Sequence, residues 1–367
     1  MFDFPSYLAS QLTLKPTDFE VETLAGGMTN ETVRATFATA IRFPESSKPF
    51  SSVVLKYAPP YIAADPAQPM SIHRQFIEAN ALRYLAETPG IRDLLTKFPR
   101  LKIPSLIHHD SAANVLWITD LGVSQTIARF LTIPPSLSTS APEIATMLGA
   151  FISQFWQKMA RPAPKTIALF ARQNEQDDPV HFLSSTALKV MSSHGVPDAE
   201  ILGERIRTTM QTKHDREICL GMVDFWPGSI LIFPDGSCGL VDWEYFGPST
   251  PGAEIGMLVA HLHLLIAKSR NEPEVCNAVR TFIWTFLDSY GAHVPPTSAY
   301  FKRQALVAYG REMINAIEFF ATDLDEGAQK RVLDAGVHSL HAAGASEIEV
   351  DVKLDGAGEI LWDNVLQ

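Results

Sequence analysis

The sequence of 367 residues predicts an α+β fold, with strands concentrated near the N-terminus and helices after them. Two observations support this prediction. Short β-rich segments lie close together up to residue 119, and beyond residue 122 most segments have apolar residues at helical spacing. A group of strands followed by a group of helices is typical of α+β proteins. We therefore expect a small sheet-rich lobe at 1–121 and a mostly helical lobe at 122–367.

The first lobe is predicted to contain a short helix at 5–13 and one main helix at 72–87. Its strands are predicted at 21–24, 32–37, 52–57, 106–108 and 115–119, where β-branched and aromatic residues are frequent. The segment 59–69 is rich in proline, which lacks a backbone N–H donor. We expect this segment to be a loop.

The second lobe is predicted to be helical at 143–159, 181–192, 199–212, 252–268, 273–289, 298–320 and 329–341. The segment 134–142 is rich in serine, threonine and proline and is predicted to be a loop. The last 20 residues alternate acidic and apolar residues, so they would either add a strand or lie on the surface.

The composition limits the classes of partner. The net charge is −11 and the sequence has no cluster of lysine and arginine, so neither nucleic acid nor an anionic membrane is an expected partner. Three widely spaced cysteines without a CxxC motif indicate a reduced protein. The N-terminus lacks the features of a signal peptide, and we expect a cytoplasmic protein. The oligomeric state is left open.

A predicted β-hairpin around the turn 234–236 brings acidic residues together. Two apolar strands flank this Pro-Asp-Gly turn, in which proline presets φ and glycine accepts a positive φ. The hairpin returns Asp242 and Glu244 towards Asp224 and Ser229, which precede its first strand. Phosphoryl transfer requires such an arrangement: a carboxylate that orients a hydroxyl, beside oxygen ligands for Mg²⁺.

Two features of the N-terminal lobe have both a functional and a structural interpretation. The glycine turn at 25–30 either lets the backbone approach phosphates or simply connects two strands. Lys56 follows three apolar residues, so it either contacts phosphate while a carboxylate holds it, or lies at an edge with its head in solvent. Glu78 is the expected partner of Lys56, although Arg74 is spaced to form a surface pair with Glu78.

The acidic residues around the hairpin also have alternatives. Asp224 is either a catalytic carboxylate or a turn former, and Ser229 either caps the following strand or offers its hydroxyl to a metal. In an extended segment, Asp242 and Glu244 on either side of Trp243 would point the same way. Two acids on one face repel each other unless a cation lies between them, which favours a metal site.

Aromatic and histidine residues near these motifs are less specific. Trp226 either stacks on a substrate or packs against the hairpin. The pairs His108-His109 and His261-x-His263 have no further histidine or cysteine at ligand spacing, so we expect structural roles for them.

The order of these motifs along the chain is more specific than each motif alone. It comprises a glycine turn, Lys56 on a strand, Glu78 on a helix, a strand that leads to Asp120-Leu121, Asp224 five residues before Ser229, and a hairpin before Asp242. This order resembles the aminoglycoside phosphotransferase and choline kinase superfamily, whose fold is like that of protein kinases. The match covers about residues 20–265. The resemblance implies a bilobal fold with a small antiparallel sheet in the N-terminal lobe.

Two groups within the superfamily are similar to this chain at further positions. Methylthioribose kinases are similar at 54–56, 60–61, 69–70 and 77–79, and in the serine at 229. The 4-hydroxytryptamine kinases are similar at 222–231, 241–244 and 247–249.

The resemblance implies ATP and Mg²⁺ as cofactors and assigns residues to them. Lys56, paired with Glu78, would hold the α- and β-phosphates. Asp224 would orient the acceptor hydroxyl and take its proton. The remaining residues implied at the cofactor site are Gly26, Gly27, Thr29 and Asn30 over the phosphates, Thr119, Asp120 and Leu121 at the adenine, and Asp242, Glu244 and Ser229 at Mg²⁺.

The chain departs from the superfamily pattern at three places. Relatives usually have His-Gly-Asp where this chain has Met222-Val223-Asp224, and most have asparagine where it has Ser229. Glu254 stands where relatives commonly carry an aspartate, and it is expected to brace the catalytic loop.

Two functional hypotheses follow from the sequence. The first is an ATP-dependent small-molecule kinase that phosphorylates a hydroxyl of a metabolite, either a hydroxylated amine or a sugar-like compound. The second is a catalytically inactive kinase-like protein that binds a ligand or a partner. A hydrolase is not expected, because the sequence has no nucleophile elbow.

Overall fold

The computed structural model describes residues 2–24, 27–43, 48–133, 141–171, 179–211, 217–294 and 298–345. The predictions for Gly26, for residues 134–140 of the expected loop and for the last 20 residues lie outside these ranges.

The N-terminal part forms two kinds of layer, a sheet and the helices that cover it. Its elements are α1 (Phe4–Leu12), β1 (Phe19–Thr23), β2 (Glu31–Arg42), β3 (Pro49–Tyr57), β4 (Tyr61–Ile62), β5 (Asp65–Pro69), α2 (His73–Glu87), α3 (Pro89–Lys97), β6 (Leu101–Lys102), β7 (Leu106–Asp110) and β8 (Val115–Thr119). Strands β1, β2, β3, β8 and β7 pair in this order into one antiparallel sheet.

The alternation of side chains along β3 places Lys56. Val53 and Leu55 face a core that includes Leu8 of α1, whereas Val54 belongs to the main core that includes Ile77 of α2. Because successive side chains point to opposite faces of a strand, Lys56 lies on the same face as Val54 and is directed towards α2. Strand β3 lies between β2 and β8, so Lys56 is not on an edge strand.

The prediction that 59–69 is a loop is wrong, because β4 and β5 form a small antiparallel hairpin there. Pro66 and Pro69 lie on β5, which pairs with β4 alone and is exposed along its length. A two-stranded ribbon with a free edge tolerates proline, since no neighbouring strand requires the missing N–H. Helix α3 is also absent from the sequence predictions, and it begins with proline in its first turn, where proline is favoured.

The C-terminal part is mostly helical. Its elements are β9 (Gln125–Thr126), α4 (Ile127–Thr132), α5 (Ala141–Lys158), α6 (Pro164–Ala168), α7 (Pro179–Ser193), α8 (Ala199–Gln211), β10 (Cys219–Gly221), β11 (Ile230–Ile232), β12 (Cys238–Leu240), β13 (Gly247–Ser249), α9 (Pro251–Lys268), α10 (Pro273–Gly291), α11 (Ala299–Phe319) and α12 (Glu326–Ala343). Each predicted helix is present with similar ends, and α4 and α6 are short helices that were not predicted.

The predicted hairpin is formed by β11 and β12, in which Ile230 pairs with Leu240. Gly236 adopts a φ of 73°, and its N–H donates to Phe233 O at 2.9 Å, so the turn uses the conformation that glycine permits. Beyond the hairpin, Val241 N donates to Ser229 O at 3.0 Å. The residues that follow Val241 are therefore held beside the loop that contains Asp224.

The fold class predicted from the sequence is confirmed: an antiparallel sheet is followed by a helical part. The boundary near residue 121 stays a prediction. Strand β6, from the first part of the chain, pairs with β12 in a four-stranded sheet of the order β6, β12, β11, β9. Throughout the ranges given above, every helix is too short or too polar to cross a bilayer.

Candidate active site

A buried lysine joins the two parts of the chain. Lys56 Nζ on β3 donates to the two carboxylate oxygens of Glu78 on α2 at 2.8 and 2.7 Å. It also donates to Asp242 Oδ1, beyond the hairpin, at 2.7 Å. Lys56 is 4 % exposed and Glu78 is 1 % exposed. Neither the solvent-facing lysine nor the surface pair between Arg74 and Glu78 is therefore present.

The charges in this triad depend on one another. Burial alone would lower the pKa of Lys56, but the carboxylates of Asp242 and Glu78 outweigh it and raise that pKa. Burial raises the pKa of Glu78 to about 7, against the lowering effect of the Lys56 ammonium. The ammonium therefore remains charged and is positioned by two acids, as a lysine that meets phosphate oxygens requires.

Asp242 has an unusual backbone conformation. Its φ is 64°, in the left-handed region, so the segment around Trp243 is not extended. The condition under which Asp242 and Glu244 were expected to point the same way is therefore not met. Asp242 remains about one third exposed, and its Oδ2 receives no hydrogen bond from the residues that the structure describes. Strained residues of this kind concentrate at functional sites.

Glu244 contacts the glycine turn of the N-terminal lobe. Thr29 Oγ1 donates to Glu244 Oε1 at 2.6 Å, and Asn30 Nδ2 donates to Glu244 Oε2 at 2.6 Å. Arg74 Nε lies 3.6 Å from Glu244 Oε2, and Arg74 also donates to Asn30 Oδ1 at 3.2 Å and to Thr29 O at 2.9 Å. We call Thr29, Asn30, Arg74 and Glu244 the turn latch. Gly27 lies in the same turn, two residues before Thr29.

The loop that contains Asp224 begins where β10 ends. Val223 has a φ of 65°, which is rare for a β-branched residue, and its N–H donates to Glu254 Oε1 at 2.8 Å. Gly221 leaves the space for this carboxylate, because a Cβ there would lie 2.4 Å from Glu254 Oε1. Glu254 therefore braces the loop, as expected. Met222 is buried and belongs to the main hydrophobic core.

The environment of Asp224 is acidic. Burial raises the pKa of Asp224, and the carboxylates of Glu312, Glu244, Asp242 and Glu254 raise it further, in that order. A carboxylate with a raised pKa is a stronger base than an ordinary aspartate. This is consistent with a group that accepts the proton of a hydroxyl.

Ser229 is engaged within its own turn. Its hydroxyl donates to Trp226 O at 2.8 Å, and Trp226 N donates to the Ser229 hydroxyl at 3.3 Å. A Cβ at Gly228 would lie 2.3 Å from the Trp226 ring, so only glycine fits this turn without displacement of the ring. Ser229 thus braces the turn, and its assignment to a metal stays a prediction.

The acidic residues do not form a closed metal cage. Within the described ranges, no three or more His, Cys, Asp or Glu side chains are grouped so that they could hold a metal ion. Mg²⁺ is commonly bound by one or two carboxylates together with substrate phosphates, and the free oxygen of Asp242 fits that kind of site. His263 instead hydrogen-bonds Tyr309 and His109 hydrogen-bonds Gln75, which agrees with structural roles for the histidine pairs.

The predicted adenine-binding segment follows β8. Arg34 Nε donates to Asp120 Oδ2 at 2.8 Å, so the segment is held against β2. Thr119 Oγ1 accepts a hydrogen bond from Ser105 N at 2.9 Å, and Leu121 lies against Gly239 of β12. These contacts fix the segment between the two sheets, and adenine binding by its backbone stays a prediction.

Sequence reasoning missed two sets of contacts. The partners of Glu244 were not foreseen, because Asn30 is 214 residues away in sequence. The cluster of Trp226, His261 and Glu312 was also missed, since α9 and α11 show only core patterns. The only available signal was the tryptophan two residues after Asp224.

The chain is similar in sequence or in fold to known kinases and phosphotransferases. The 4-hydroxytryptamine kinase of Psilocybe cyanescens is 25% identical over 357 residues, which cover 92% of this chain and 91% of the relative. The ADP-bound aminoglycoside phosphotransferase APH(2″)-Ib has a TM-score of 0.52 at 14% identity, with 93% of this chain and 99% of that chain covered. An amicoumacin kinase in complex with AMP-PNP, Ca²⁺ and Ami has a TM-score of 0.52 at 12% identity, with 93% of each chain covered.

No family model matches the chain. The solved structures show the fold, and the curated relative extends the similarity over most of the sequence. The resemblance expected from the sequence is therefore confirmed: the chain has the fold of an aminoglycoside phosphotransferase, and it is similar along most of its length to a 4-hydroxytryptamine kinase.

Proposed function

We propose that the chain is an ATP-dependent kinase that phosphorylates a hydroxyl group of a small metabolite. The observation that carries this proposal is the buried Lys56 ammonium, held by Glu78 and Asp242 at 2.7–2.8 Å. An inactive binding protein has no need to keep an ammonium and two carboxylates together in a buried site, where charges are costly. The relatives named above support the same class, because each is named as a kinase or a phosphotransferase.

Phosphoryl transfer requires mainly positioning and charge neutralisation. Lys56 offsets charge on the α- and β-phosphates, and the turn that contains Gly27, Thr29 and Asn30 covers them. Asp224 orients the acceptor hydroxyl and accepts its proton. The backbone of 119–121 holds the adenine.

A divalent cation belongs to this proposal, and the residues present fit it. Asp242 offers its free oxygen, and Glu244 and Ser229 are the further ligands predicted from the sequence. We propose Mg²⁺ for this site, where it would neutralise charge on the phosphates. The neighbour with AMP-PNP and Ca²⁺ supports a nucleotide and a divalent ion.

The chemical class of the acceptor is also part of the proposal. The curated relative is named for 4-hydroxytryptamine, a hydroxylated amine, and the sequence left a hydroxylated amine or a sugar-like compound open. We therefore propose a small hydroxylated metabolite as partner. A cytoplasmic location and the lack of a nucleic-acid partner remain predictions from composition.

The test is ADP release from Mg-ATP in the presence of hydroxylated amines and sugars. We expect release with at least one acceptor, and a loss of at least about 100-fold in kcat for Asp224→Asn while ATP binding persists. Asp242→Ala is expected to lose Mg-dependent nucleotide binding. Asp288→Asn, on the exposed side of α10, is the matched control.

Nucleotide binding without release of ADP in the presence of any acceptor would instead favour the inactive binding protein. Full turnover in Asp224→Asn would remove that residue from the mechanism.

A further inference from the structure

A contact on the outer face of the N-terminal sheet joins the start of the chain to the ends of two strands. Phe2 N donates to Glu31 Oε2 at 2.6 Å, and Glu31 is the first residue of β2. The Phe2 ring stacks on the ring of Tyr57, the last residue of β3, with 4.3 Å between the ring centroids. Glu31 and Tyr57 pair directly across the two strands. We call Phe2, Glu31 and Tyr57 the outer clamp.

The outer clamp lies next to two residues of the candidate active site. Asn30 of the turn latch directly precedes Glu31, and Lys56 directly precedes Tyr57. Because successive side chains of a strand point to opposite faces, Tyr57 and Lys56 face opposite sides of the sheet. Tyr57 packs against the core that contains α1, whereas Lys56 bonds to α2. Phe2 therefore acts on the site through the backbone of β2 and β3 and does not face the nucleotide.

The outer clamp lies where β1 no longer pairs with β2. The paired residues of these two strands end at Val33, so Glu31 lies beyond the last pair. On the other side, β3 pairs with β8 as far as Tyr57. A strand end that has a neighbour on one side only opens more readily than the middle of a sheet. Phe2 thus holds Glu31 at the point where the support from β1 has ended.

Phe2 is itself anchored to the far strands of the sheet. Its ring lies edge to face against the ring of Tyr7 on α1, with 5.4 Å between the centroids. The Tyr7 hydroxyl donates to Asp110 Oδ2 at 3.0 Å and accepts from Trp117 Nε1 at 3.0 Å. Asp110 lies on β7 and Trp117 on β8. The segment from Phe2 to Tyr7 therefore links β7 and β8 to the ends of β2 and β3.

We propose that Phe2 is a positioning residue for the nucleotide. Through Glu31 and Tyr57 it holds the turn latch and Lys56 at the spacing that the phosphates of ATP require. Phe2 takes part in no chemical step, so its loss weakens nucleotide binding and leaves the rate of transfer at saturating ATP unchanged. This proposal rests on the proposed function, because it concerns the nucleotide of the same site.

The test measures the affinity of the full chain for Mg-AMP-PNP by titration calorimetry. Phe2→Leu keeps an apolar side chain and removes the ring stack, so Kd should rise about fivefold. Phe2→Tyr keeps the ring, so Kd should stay within about twofold of the wild-type value. Phe50→Leu is the matched control, because Phe50 packs against the same core at the far end of β3. This control should leave Kd unchanged.

Three further measurements separate positioning from stability of the fold. Phe2→Leu and Tyr57→Leu remove the same stack, so the double variant should lose no more affinity than the weaker-binding single variant. In the ADP-release assay, Phe2→Leu should raise KM for ATP about fivefold and leave kcat unchanged. Without nucleotide, hydrogen exchange of the backbone at 28–32 should be about fivefold faster in Phe2→Leu than in Phe50→Leu.

Two results would overturn the proposal. The first is a lower free energy of unfolding in Phe2→Leu with unchanged Kd and unchanged exchange at 28–32, because Phe2 would then only stabilise the fold. The second is an equal rise of Kd in Phe50→Leu, because the effect would then not be specific to the outer clamp.

Binding and turnover together distinguish the outer clamp from the proposed function. If Mg-AMP-PNP binds more weakly to Phe2→Leu but no acceptor leads to ADP release, the outer clamp is supported and the kinase is refuted. If ADP is released and KM for ATP is the same in Phe2→Leu and wild type, the kinase is supported and the outer clamp is refuted. A wild-type protein that does not bind Mg-AMP-PNP would refute both.

Discussion

The turn latch gives the sharpest quantitative prediction. Glu244 is buried and accepts two hydrogen bonds of 2.6 Å, and Arg74 Nε lies 3.6 Å away. Glu244→Gln keeps one acceptor oxygen but places an amide N–H₂ opposite a donor, and it removes the negative charge that lies 3.6 Å from Arg74 Nε. Since a hydrogen bond to a charged group contributes about 1.5–3 kcal/mol, we expect a loss of about 2 kcal/mol in closure of the turn over the nucleotide.

This loss should appear in nucleotide affinity. A change of about 2 kcal/mol corresponds to about a 30-fold increase in KM for ATP, because each 1.4 kcal/mol is tenfold. The assay is steady-state ADP release at saturating acceptor over a range of ATP and Mg²⁺ concentrations. Asn30→Ala should have a similar effect, and the double variant should lose less than the sum of the two. Glu20→Gln, an exposed acid on β1, is the matched control.

The same experiment separates the latch from metal binding. If Glu244 acts only as a metal ligand, additional Mg²⁺ should return the KM for ATP of Glu244→Gln to the wild-type value. Asn30→Ala should then leave KM for ATP unchanged. That result, or a KM for ATP within about twofold of wild type in Glu244→Gln, would refute the latch.

Two further predictions concern the loop of Asp224 and the buried His263. Gly228→Ala should lower kcat by at least about tenfold, because the new Cβ would displace the Trp226 ring, while the circular dichroism spectrum stays unchanged. Gly327→Ala is the control. Burial lowers the pKa of His263 from 6.5 to about 3. Between these pH values the unfolded chain binds more protons than the folded protein, so the free energy of unfolding decreases as the pH falls below 6.5. In denaturant titrations, the free energy of unfolding of the wild-type protein should decrease by up to about 1.4 kcal/mol per pH unit, and that of His263→Gln should decrease less. Equal dependence on pH in the two proteins would contradict this.

Local rules made part of the site predictable. The hairpin followed from Pro-Asp-Gly at 234–236 between apolar strands, because that turn sets the register by backbone conformation. The cost of burying a lysine without a partner left the pairing of Lys56 with Glu78 as one of two interpretations, which the resemblance then favoured, and the structure places the two groups 2.7 Å apart. The superfamily fold followed from the order of such motifs.

Other contacts depend on tertiary geometry that no local rule supplies. The left-handed backbone at Asp242 turns Glu244 towards the glycine turn, and a sequence pattern assumes an extended strand there. The sequence allowed two roles for Ser229, a cap of the following strand or a metal ligand. In the structure its hydroxyl hydrogen-bonds within its own turn. The sequence does not predict the hairpin of β4 and β5, because proline disfavours a strand except where the strand has a free edge.

The central claim is that Lys56, Asp224 and Asp242 surround the terminal phosphates of one nucleotide. A crystal structure with Mg²⁺ and AMP-PNP tests it most directly. The account predicts Lys56 Nζ at the α- and β-phosphates, the metal at Asp242, and the γ-phosphate facing Asp224 across the space for an acceptor hydroxyl. A nucleotide bound elsewhere, or phosphates that contact none of these three side chains, would contradict it.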